Sequence, residues 1–145
     1  EVIFTLDADG QPLPAEIPAL VKPILDGEAD LVNGSRVLGH HEKDSRIRSA
    51  GVVFFSGLVS LLTWTRITDC SNAFRAIRAD EVGKLDLRQQ QFHTTELLIE
   101  ALKKGLRVVE VPITIQRRRS GTSKKPSTLP YGWGFTKAII TTWLR

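Results

Sequence analysis

Two carboxylates follow a short apolar segment near the beginning of the chain. Asp7-Ala8-Asp9 comes after residues 2–6, which are Val, Ile, Phe, Thr and Leu, and precedes Gly10-Gln11. Such residues predict a buried strand, and ligands of open α/β sheets bind beyond the carboxyl ends of strands. Because strand side chains alternate, Asp7 and Asp9 are expected on one side, where their oxygens suit Mg²⁺ or Mn²⁺ carrying a diphosphate. An Asp-Gly turn that ends a hairpin strand is the alternative.

A second group of chemically useful residues is basic. Residues 117–125 contain three arginines and two lysines among Ser, Thr and Gly. The arginine fork binds phosphate in a bidentate manner, although a solvated surface loop has the same composition. The whole chain carries a net charge of +4, which favours partners rich in phosphate: a nucleotide, a lipid phosphate, an anionic membrane or a nucleic acid.

Composition and periodicity predict one α/β domain that positions these groups. With 145 residues, 41% of them hydrophobic, the chain can bury a core, and its single cysteine, Cys70, excludes an internal disulfide and fits a reducing cytoplasm. Strands are predicted at residues 2–6, 30–36, 74–78 and 107–115, and helices at 14–25, 50–65, 92–104 and 131–145. Residues 39–49 are polar and predict a loop, and Pro112 predicts an edge strand or a bulge.

Two of the predicted helices carry apolar residues on more than one face. Residues 50–65 and 131–145 must therefore be buried by protein or rest on lipid. The longest apolar stretch, residues 51–64, is shorter than the roughly 20 residues that span a bilayer. Peripheral membrane contact stays open beside ordinary core packing.

Several separated segments together resemble the family-2 glycosyltransferases of GT-A fold, in the branch of the polyprenyl-phosphate and dolichyl-phosphate mannose synthases. These segments are Leu6-Asp7-Ala8-Asp9-Gly10-Gln11, Asn33-Gly34-Ser35-Arg36, Asp69-Cys70-Ser71-Asn72-Ala73-Phe74-Arg75-Ala76, Phe92 with Glu96-Leu97-Leu98, Glu110-Val111-Pro112-Ile113, and Arg118-Arg119-Ser120-Gly121-Thr122-Ser123-Lys124. The resemblance implies a Rossmann-related mixed sheet flanked by helices. Residues 1–145 would form a single partial domain, the second half of the family's catalytic domain, without the N-terminal half that binds the nucleotide.

The resemblance also implies a metal site and a donor site. Asp7 and Asp9 would hold Mg²⁺ or Mn²⁺ against the donor diphosphate, with Gln11 as an extra oxygen ligand. Arg118, assisted by Ser123 and Lys124, would bind the donor phosphates.

For the acceptor, the resemblance places Arg36 near a phosphate and makes Asp69 the candidate base. An ordinary surface arginine and a turn or capping aspartate are the alternatives. A lipid phosphate is already largely anionic at neutral pH and hardly needs a base, whereas a sugar hydroxyl must lose its proton during attack.

The function that this resemblance implies is metal-dependent, inverting transfer of a hexose from a nucleotide sugar of the GDP-mannose or UDP-glucose type to a polyprenyl phosphate. One alternative is a transferase of the same fold that acts on a sugar hydroxyl of a soluble or cell-envelope acceptor. Another is a non-catalytic basic module that binds anions or nucleic acid, although nucleic acid is not the expected partner. The expected location is the cytoplasm, with peripheral contact at the inner face of the membrane left open.

Overall fold

The computed structural model describes residues 1–41, 46–116 and 129–145, apart from the side chain of His41. The strands are β1 (Val2–Thr5), β2 (Leu31–His41), β3 (Arg75–Arg78) and β4 (Val108–Ile115). The helices are α1 (Ile17–Leu25), preceded by a 3-10 turn (Pro14–Glu16), then α2 (Arg46–Thr63), α3 (Ala79–Val82), α4 (His93–Lys103) and α5 (Leu129–Leu144). The sheet is mixed, in the order β1-β3-β2-β4: β3 runs antiparallel to β1 and β2, and β2 runs parallel to β4.

The sheet lies between helices on both faces. Neighbouring residues of one strand alternate between two cores, so that Leu31 belongs to one core and Val32 to the other. On one face α1 contributes Leu20 and Ile24, which pack with Phe74, Ala76 and Ile113. On the other face α2, α4 and α5 contribute Val59, Leu98, Ile99, Phe135 and Ile139. This arrangement confirms the predicted α/β class.

β1 differs from its prediction as a buried strand. Among the described strands it pairs only with β3, and three of its four residues are exposed. Ile3 and Phe4 each keep 44% of their surface open. The prediction was wrong because residue type indicates strand structure but not whether both faces of the strand are covered. β1 also ends at Thr5, so Asp7 and Asp9 lie in the loop and turn after the strand.

β2 extends well beyond the predicted residues 30–36. It continues to His41 because it pairs with β4 as far as Ile115, with a register shift between Ser35 and His40. Residues 39–41 are therefore strand and residues 46–49 are helix, so the predicted loop over 39–49 was wrong at both ends. The prediction for Pro112 is confirmed, because β4 is the outermost strand of the described sheet and the shift follows Pro112.

Both α2 and α5 bury one face and expose an apolar one. On α2, Ile47, Val53, Phe54 and Leu61 are 61–72% exposed, and Trp64 beyond the helix end is 90% exposed. On α5 the exposed apolar residues are Leu129, Trp133, Ile140 and Leu144. Within the described ranges, α2 has the length and composition to cross a membrane, a weak indication by itself, and 11% of its 18 residues are buried.

Candidate functional site

The acidic turn after β1 forms one wall of a polar cleft. Asp7, Asp9 and Gln11 line this cleft together with Arg36 and Asn72. The turn closes on itself, because the Gln11 backbone N–H donates to Asp9 Oδ1 at 3.1 Å, and Gly10 adopts a φ of 73° that favours glycine. The Gln11 side chain donates from Nε2 to the carbonyl of Gln116 at 3.0 Å. The Gln11 side-chain amide is thereby tied to the residue that follows β4.

A larger and more apolar cleft of about 400 Å³ adjoins the polar one. Asp7 and Pro12 belong to both clefts, and Leu6, Ala8, Gly10, Leu13, Pro14 and Gln116 complete the lining of the larger one. The acidic turn thus stands between a small polar space and a larger, mainly apolar space. Together they offer room for a ligand with both a charged and an uncharged part.

Arg36 faces the polar cleft from the middle of β2 and is held from behind by Asp69. The guanidinium donates from Nε to Asp69 Oδ2 at 2.7 Å and from Nη2 to Asp69 Oδ1 at 2.8 Å, and the Arg36 backbone N–H donates to Oδ2 at 3.0 Å. Nη2 also donates to Ser71 Oγ at 2.8 Å. Burial opposes the charge of the guanidinium, but the hydrogen bonds and the charge of Asp69 outweigh it, and the pKa of Arg36 lies above its usual value.

Asp69 is fully buried and does not line either cleft. Both of its carboxylate oxygens accept hydrogen bonds from Arg36, and Asp69 therefore forms an ion pair with Arg36. A general base has to reach the proton that it removes. The role of Asp69 as a base stays a prediction, and the geometry described here favours a positioning role.

A layer of buried polar residues supports the segment that carries Asp69. Asn33 donates from Nδ2 to the Asp69 carbonyl at 2.7 Å and to Glu110 Oε1 at 2.9 Å. Arg75 donates from Nε to Asn33 Oδ1 at 2.6 Å and from Nη2 to the Cys70 carbonyl at 2.9 Å. Burial lowers the pKa of Arg75 to about 10. Glu110 and Arg75 lie within segments of the family resemblance, but neither was predicted from the sequence as a site residue.

The structure brings together four of the eight predicted site residues. Asp7, Asp9, Gln11 and Arg36 share the polar cleft, and Asp69 lies directly behind Arg36. The predicted donor-binding residues, Arg118, Ser123 and Lys124, lie outside the described residues. Glu96, a second acidic residue of the resemblance, is buried at the start of α4, where it accepts hydrogen bonds from the backbone N–H groups of residues 88 and 89 and pairs with Arg145.

The donor set at the acidic turn fits a hard divalent cation. Two carboxylates and a side-chain amide oxygen from Asp7, Asp9 and Gln11 are the ligand types that Mg²⁺ and Mn²⁺ prefer. Among the described residues no group of three or more His, Cys, Asp and Glu side chains could hold a metal. A cation here would therefore depend on oxygens of its substrate for part of its coordination, as Mg²⁺ commonly does with phosphates.

The fold is a mixed α/β domain with a polar cleft beyond the carboxyl end of β1, and comparison with known proteins identifies its family. Residues 1–85 match glycosyl transferase family 2, so the chain belongs to that family. It is 29% identical over 125 residues to the dolichyl-phosphate hexose transferase of Haloferax volcanii, covering 86% of this chain and 54% of the relative. It is 29% identical over 130 residues to the undecaprenyl-phosphate mannosyltransferase of Micrococcus luteus, covering 86% of this chain and 53% of the relative.

Solved structures confirm the predicted GT-A fold. Glucosyl-3-phosphoglycerate synthase from Mycobacterium tuberculosis, in complex with phosphoglyceric acid, superposes with a TM-score of 0.68 at 19% identity, over 99% of this chain and 48% of that one. The same enzyme in complex with Mn²⁺, UDP and glucosyl-3-phosphoglycerate gives a TM-score of 0.63 at 20% identity, over 92% of this chain and 44% of that one. The chain thus spans about half the length of the proteins that it matches.

Proposed function

We propose that the protein transfers a hexose from a nucleotide sugar to a polyprenyl phosphate, using a divalent metal and inverting the anomeric centre. The observation that carries this proposal is the shared cleft, which Asp7 and Asp9 line together with Arg36. A cation site and an anion site side by side suit a reaction between two phosphate-bearing substrates. The names of the Haloferax and Micrococcus relatives support a lipid phosphate as the acceptor.

The acidic turn would hold the metal and, through it, the donor. A divalent cation supplies Lewis-acid stabilisation to a departing diphosphate, which gathers negative charge as the sugar leaves. In this chain Asp7 and Asp9 would bind the cation, and the amide oxygen of Gln11 is available because its hydrogen bond to Gln116 uses the nitrogen. Mn²⁺ and UDP in the complex of the structural neighbour support this assignment. Arg118, Ser123 and Lys124 are proposed to bind the donor phosphates.

Arg36 would bind the phosphate of the acceptor. Its Nε and Nη2 are fixed on Asp69, whereas Nη1 makes no hydrogen bond within the described part of the chain. The guanidinium is therefore oriented before the substrate arrives, which lowers the entropy lost on binding. A phosphate monoester oxygen is mostly ionised at neutral pH and attacks without a base. Direct displacement by that oxygen inverts the anomeric centre.

The burial of Asp69 and its hydrogen bonds with Arg36 favour a phosphate acceptor over a sugar hydroxyl. A hydroxyl acceptor needs a base within hydrogen-bonding reach, and Asp69 is buried with both oxygens engaged by Arg36. Transfer to short-chain polyprenyl phosphates and to simple glycosides, measured side by side at several pH values, separates the two acceptor classes. Asp69→Asn should keep the pH dependence of the parent if Asp69 positions Arg36, and should remove an ascending limb if Asp69 is the base.

The exposed apolar faces of α2 and α5 would rest on the membrane that holds such an acceptor. Ile47, Phe54 and Leu61 recur at seven-residue spacing along α2 and are 65–72% exposed, and Trp133 on α5 is 73% exposed. Aromatic and aliphatic residues of this kind lie at membrane interfaces. Flotation with anionic vesicles tests this membrane contact. Phe54→Ser/Leu61→Ser is the test variant, and Leu25→Ser, which changes an exposed leucine on α1, is its control.

Calorimetric titration of GDP- and UDP-sugars into the full-length protein tests the donor site. It is run with Mn²⁺ and with EDTA, on the parent, on Asp7→Asn/Asp9→Asn and on Asp26→Asn, an exposed acid at the end of α1, as a control. We expect metal-dependent binding that only the double variant loses. Binding of anions that ignores EDTA and falls steeply with salt would instead indicate a basic module without catalysis.

A further inference from the structure

We infer that Glu110 is a positioning residue for Arg36, acting from β4 through residues 68 and 69. Glu110 does not line either cleft and touches Arg36 through no described contact. Its influence runs through three successive groups: its own carboxylate, the Thr68–Asp69 segment and the Asp69 carboxylate. This inference rests on the proposed function, in which Arg36 binds the acceptor phosphate.

The carboxylate of Glu110 clamps the backbone that presents Asp69. Oε2 accepts from the Thr68 backbone N–H at 2.9 Å and from Thr68 Oγ1 at 2.6 Å. Oε1 accepts from the Asp69 backbone N–H at 3.2 Å and from Asn33 Nδ2 at 2.9 Å. Four hydrogen-bond donors thus converge on the two oxygens of one carboxylate.

The clamped segment in turn fixes both the side chain and the backbone of Arg36. Asp69 accepts from the guanidinium at 2.7 and 2.8 Å and from the Arg36 backbone N–H at 3.0 Å. Thr68 Oγ1 also lies 2.6 Å from Ser35 Oγ, next to Arg36 on β2. A displacement of the Thr68–Asp69 segment would therefore move the guanidinium directly.

Positioning matters here because the charge of Arg36 is largely compensated. The Arg36–Asp69 pair is neutral as a unit, so recognition of a phosphate depends more on the direction of the remaining N–H groups than on net charge. Misplacement of an oriented group by about 1 Å can cost roughly 100-fold in rate. Glu110 also occupies the strand that leads to Gln116, the partner of Gln11, and β4 therefore relates the acceptor side of the cleft to the metal side.

Glu110→Gln is the variant that tests this chain of contacts. A glutamine amide presents one acceptor oxygen and one NH₂ donor to four converging donors, so the NH₂ must face an N–H or hydroxyl group. We expect kcat/KM for a short-chain isoprenyl phosphate to fall roughly 10- to 100-fold in the full-length protein, while the Kd of the donor nucleotide stays unchanged. Glu100→Gln is the matched control, because Glu100 is also a buried, hydrogen-bonded carboxylate but lies on α4 beside Lys103.

A kinetic double-mutant cycle with Arg36→Ala distinguishes positioning from general support of the fold. If Glu110 acts through Arg36, Glu110→Gln costs little more once Arg36 is absent. An equal loss in both backgrounds overturns the inference, and so does the absence of any loss in either background when Arg36→Ala itself lowers activity. Thr68→Val removes the hydroxyl contacts of Thr68 with Glu110 and with Ser35. It should give a smaller loss of the same kind, and it replaces Glu110→Gln in the cycle if that variant does not fold.

The ¹⁵N NMR signal of the Arg36 Nε–H provides a readout that is independent of activity. We expect it to shift in Glu110→Gln and not in Glu100→Gln, because Nε donates to the carboxylate whose backbone Glu110 holds. An unchanged signal overturns the positioning role. Full activity of Arg36→Ala together with a shifted signal would instead leave the positioning role intact and contradict the proposed function of Arg36.

Discussion

Gly34, in the middle of β2, has no room for a side chain. A Cβ built there would lie 2.7 Å from the Phe74 carbonyl oxygen and 2.9 Å from Ile113 Cγ2, whereas ordinary contact begins at 3.4 Å. One of these neighbours is backbone and the other is a fully buried core residue. Gly34 also donates its N–H to the Phe74 carbonyl at 2.9 Å and accepts at its carbonyl from Asn72 Nδ2 at 2.8 Å. Gly34→Ala must therefore push β2 away from β3 and β4.

The expected cost of Gly34→Ala follows from these contacts. Overpacking a well-packed core typically costs about 1–3 kcal/mol, and the weakened hydrogen bond to Phe74 adds about 1 kcal/mol. We expect the free energy of unfolding to fall by about 2–4 kcal/mol, which corresponds to a decrease in Tm of roughly 5–15 °C for a domain of this size. Because Arg36 is two residues away on the same strand, acceptor turnover should fall as well.

Denaturant unfolding followed by circular dichroism measures this change, and Gly57→Ala is its matched control. Gly57 lies on an exposed face of α2, where an added Cβ meets nothing within 4 Å. Since glycine inside a helix is less favourable than alanine, Gly57→Ala should stabilise the protein by about 0.5–1 kcal/mol. Equal stability of Gly34→Ala and the parent would refute the close approach of β2 to its neighbours.

Three further predictions concern buried or paired ionisable groups. Arg75→Met should cost about 3–5 kcal/mol in urea unfolding, because it leaves buried Asn33 Oδ1 without its donor and removes a charged donor from the carbonyls of Cys70 and Thr94. Burial raises the pKa of Cys70 to about 11, so the thiol should resist iodoacetamide at pH 8 in the native protein and react in urea; native alkylation would contradict its burial. The hydrogen bonds of Arg107 lower the pKa of Asp30 from 3.8 to about 2. The stabilisation that the Asp30–Arg107 pair gives to the folded protein is therefore present above pH 4 and is lost as the pH falls towards 2. Asp30→Asn should cost about 1 kcal/mol at pH 7, since Arg107 is half exposed, and nearly nothing at pH 2 in acid-dependent thermal unfolding.

Local signals in the sequence were enough to predict the helices that flank the sheet. Residues 92–104 were predicted as a helix that stops at Gly105, and α4 runs from His93 to Lys103 with Gly105 at a φ of 75°. The apolar spacing of a helix and the glycine after it lie within one short window, so no distant contact is needed to read them.

Strand pairing was harder to predict from the sequence than the helices, because it depends on residues that are distant along the chain. The last three residues of β2, Gly39, His40 and His41, have no apolar side chain, and they are strand because β4, more than 70 residues later, pairs with them. β1 has the composition of a buried strand but lies at the edge of the described sheet. Composition indicates that a segment can pair, whereas the neighbours on its two sides are set by the topology.

The site shows the same division between local and distant information. The turn that carries Asp7 and Asp9 could be recognised as a unit because its residues are adjacent, and the family resemblance added Arg36. Glu110 contacts Asn33 across 77 positions and Thr68 across 42, and no spacing rule within one segment joins these residues.

β4 gives a physical reason why residues so far apart in sequence should depend on one another. Through Glu110 this strand holds the segment that orients Arg36, and through the residue after its end, Gln116, it holds the side chain of Gln11 beside the acidic turn. The proposed anion-binding side and the proposed cation-binding side of the cleft therefore both depend on the position of one strand. β4 pairs with β2 along its length and meets Pro12 at Ile115, and its backbone at Ile113 approaches Gly39 too closely to admit a side chain there. A change in the register of β4 against β2 would alter the distance between the two sides of the cleft even if every residue lining it were unchanged.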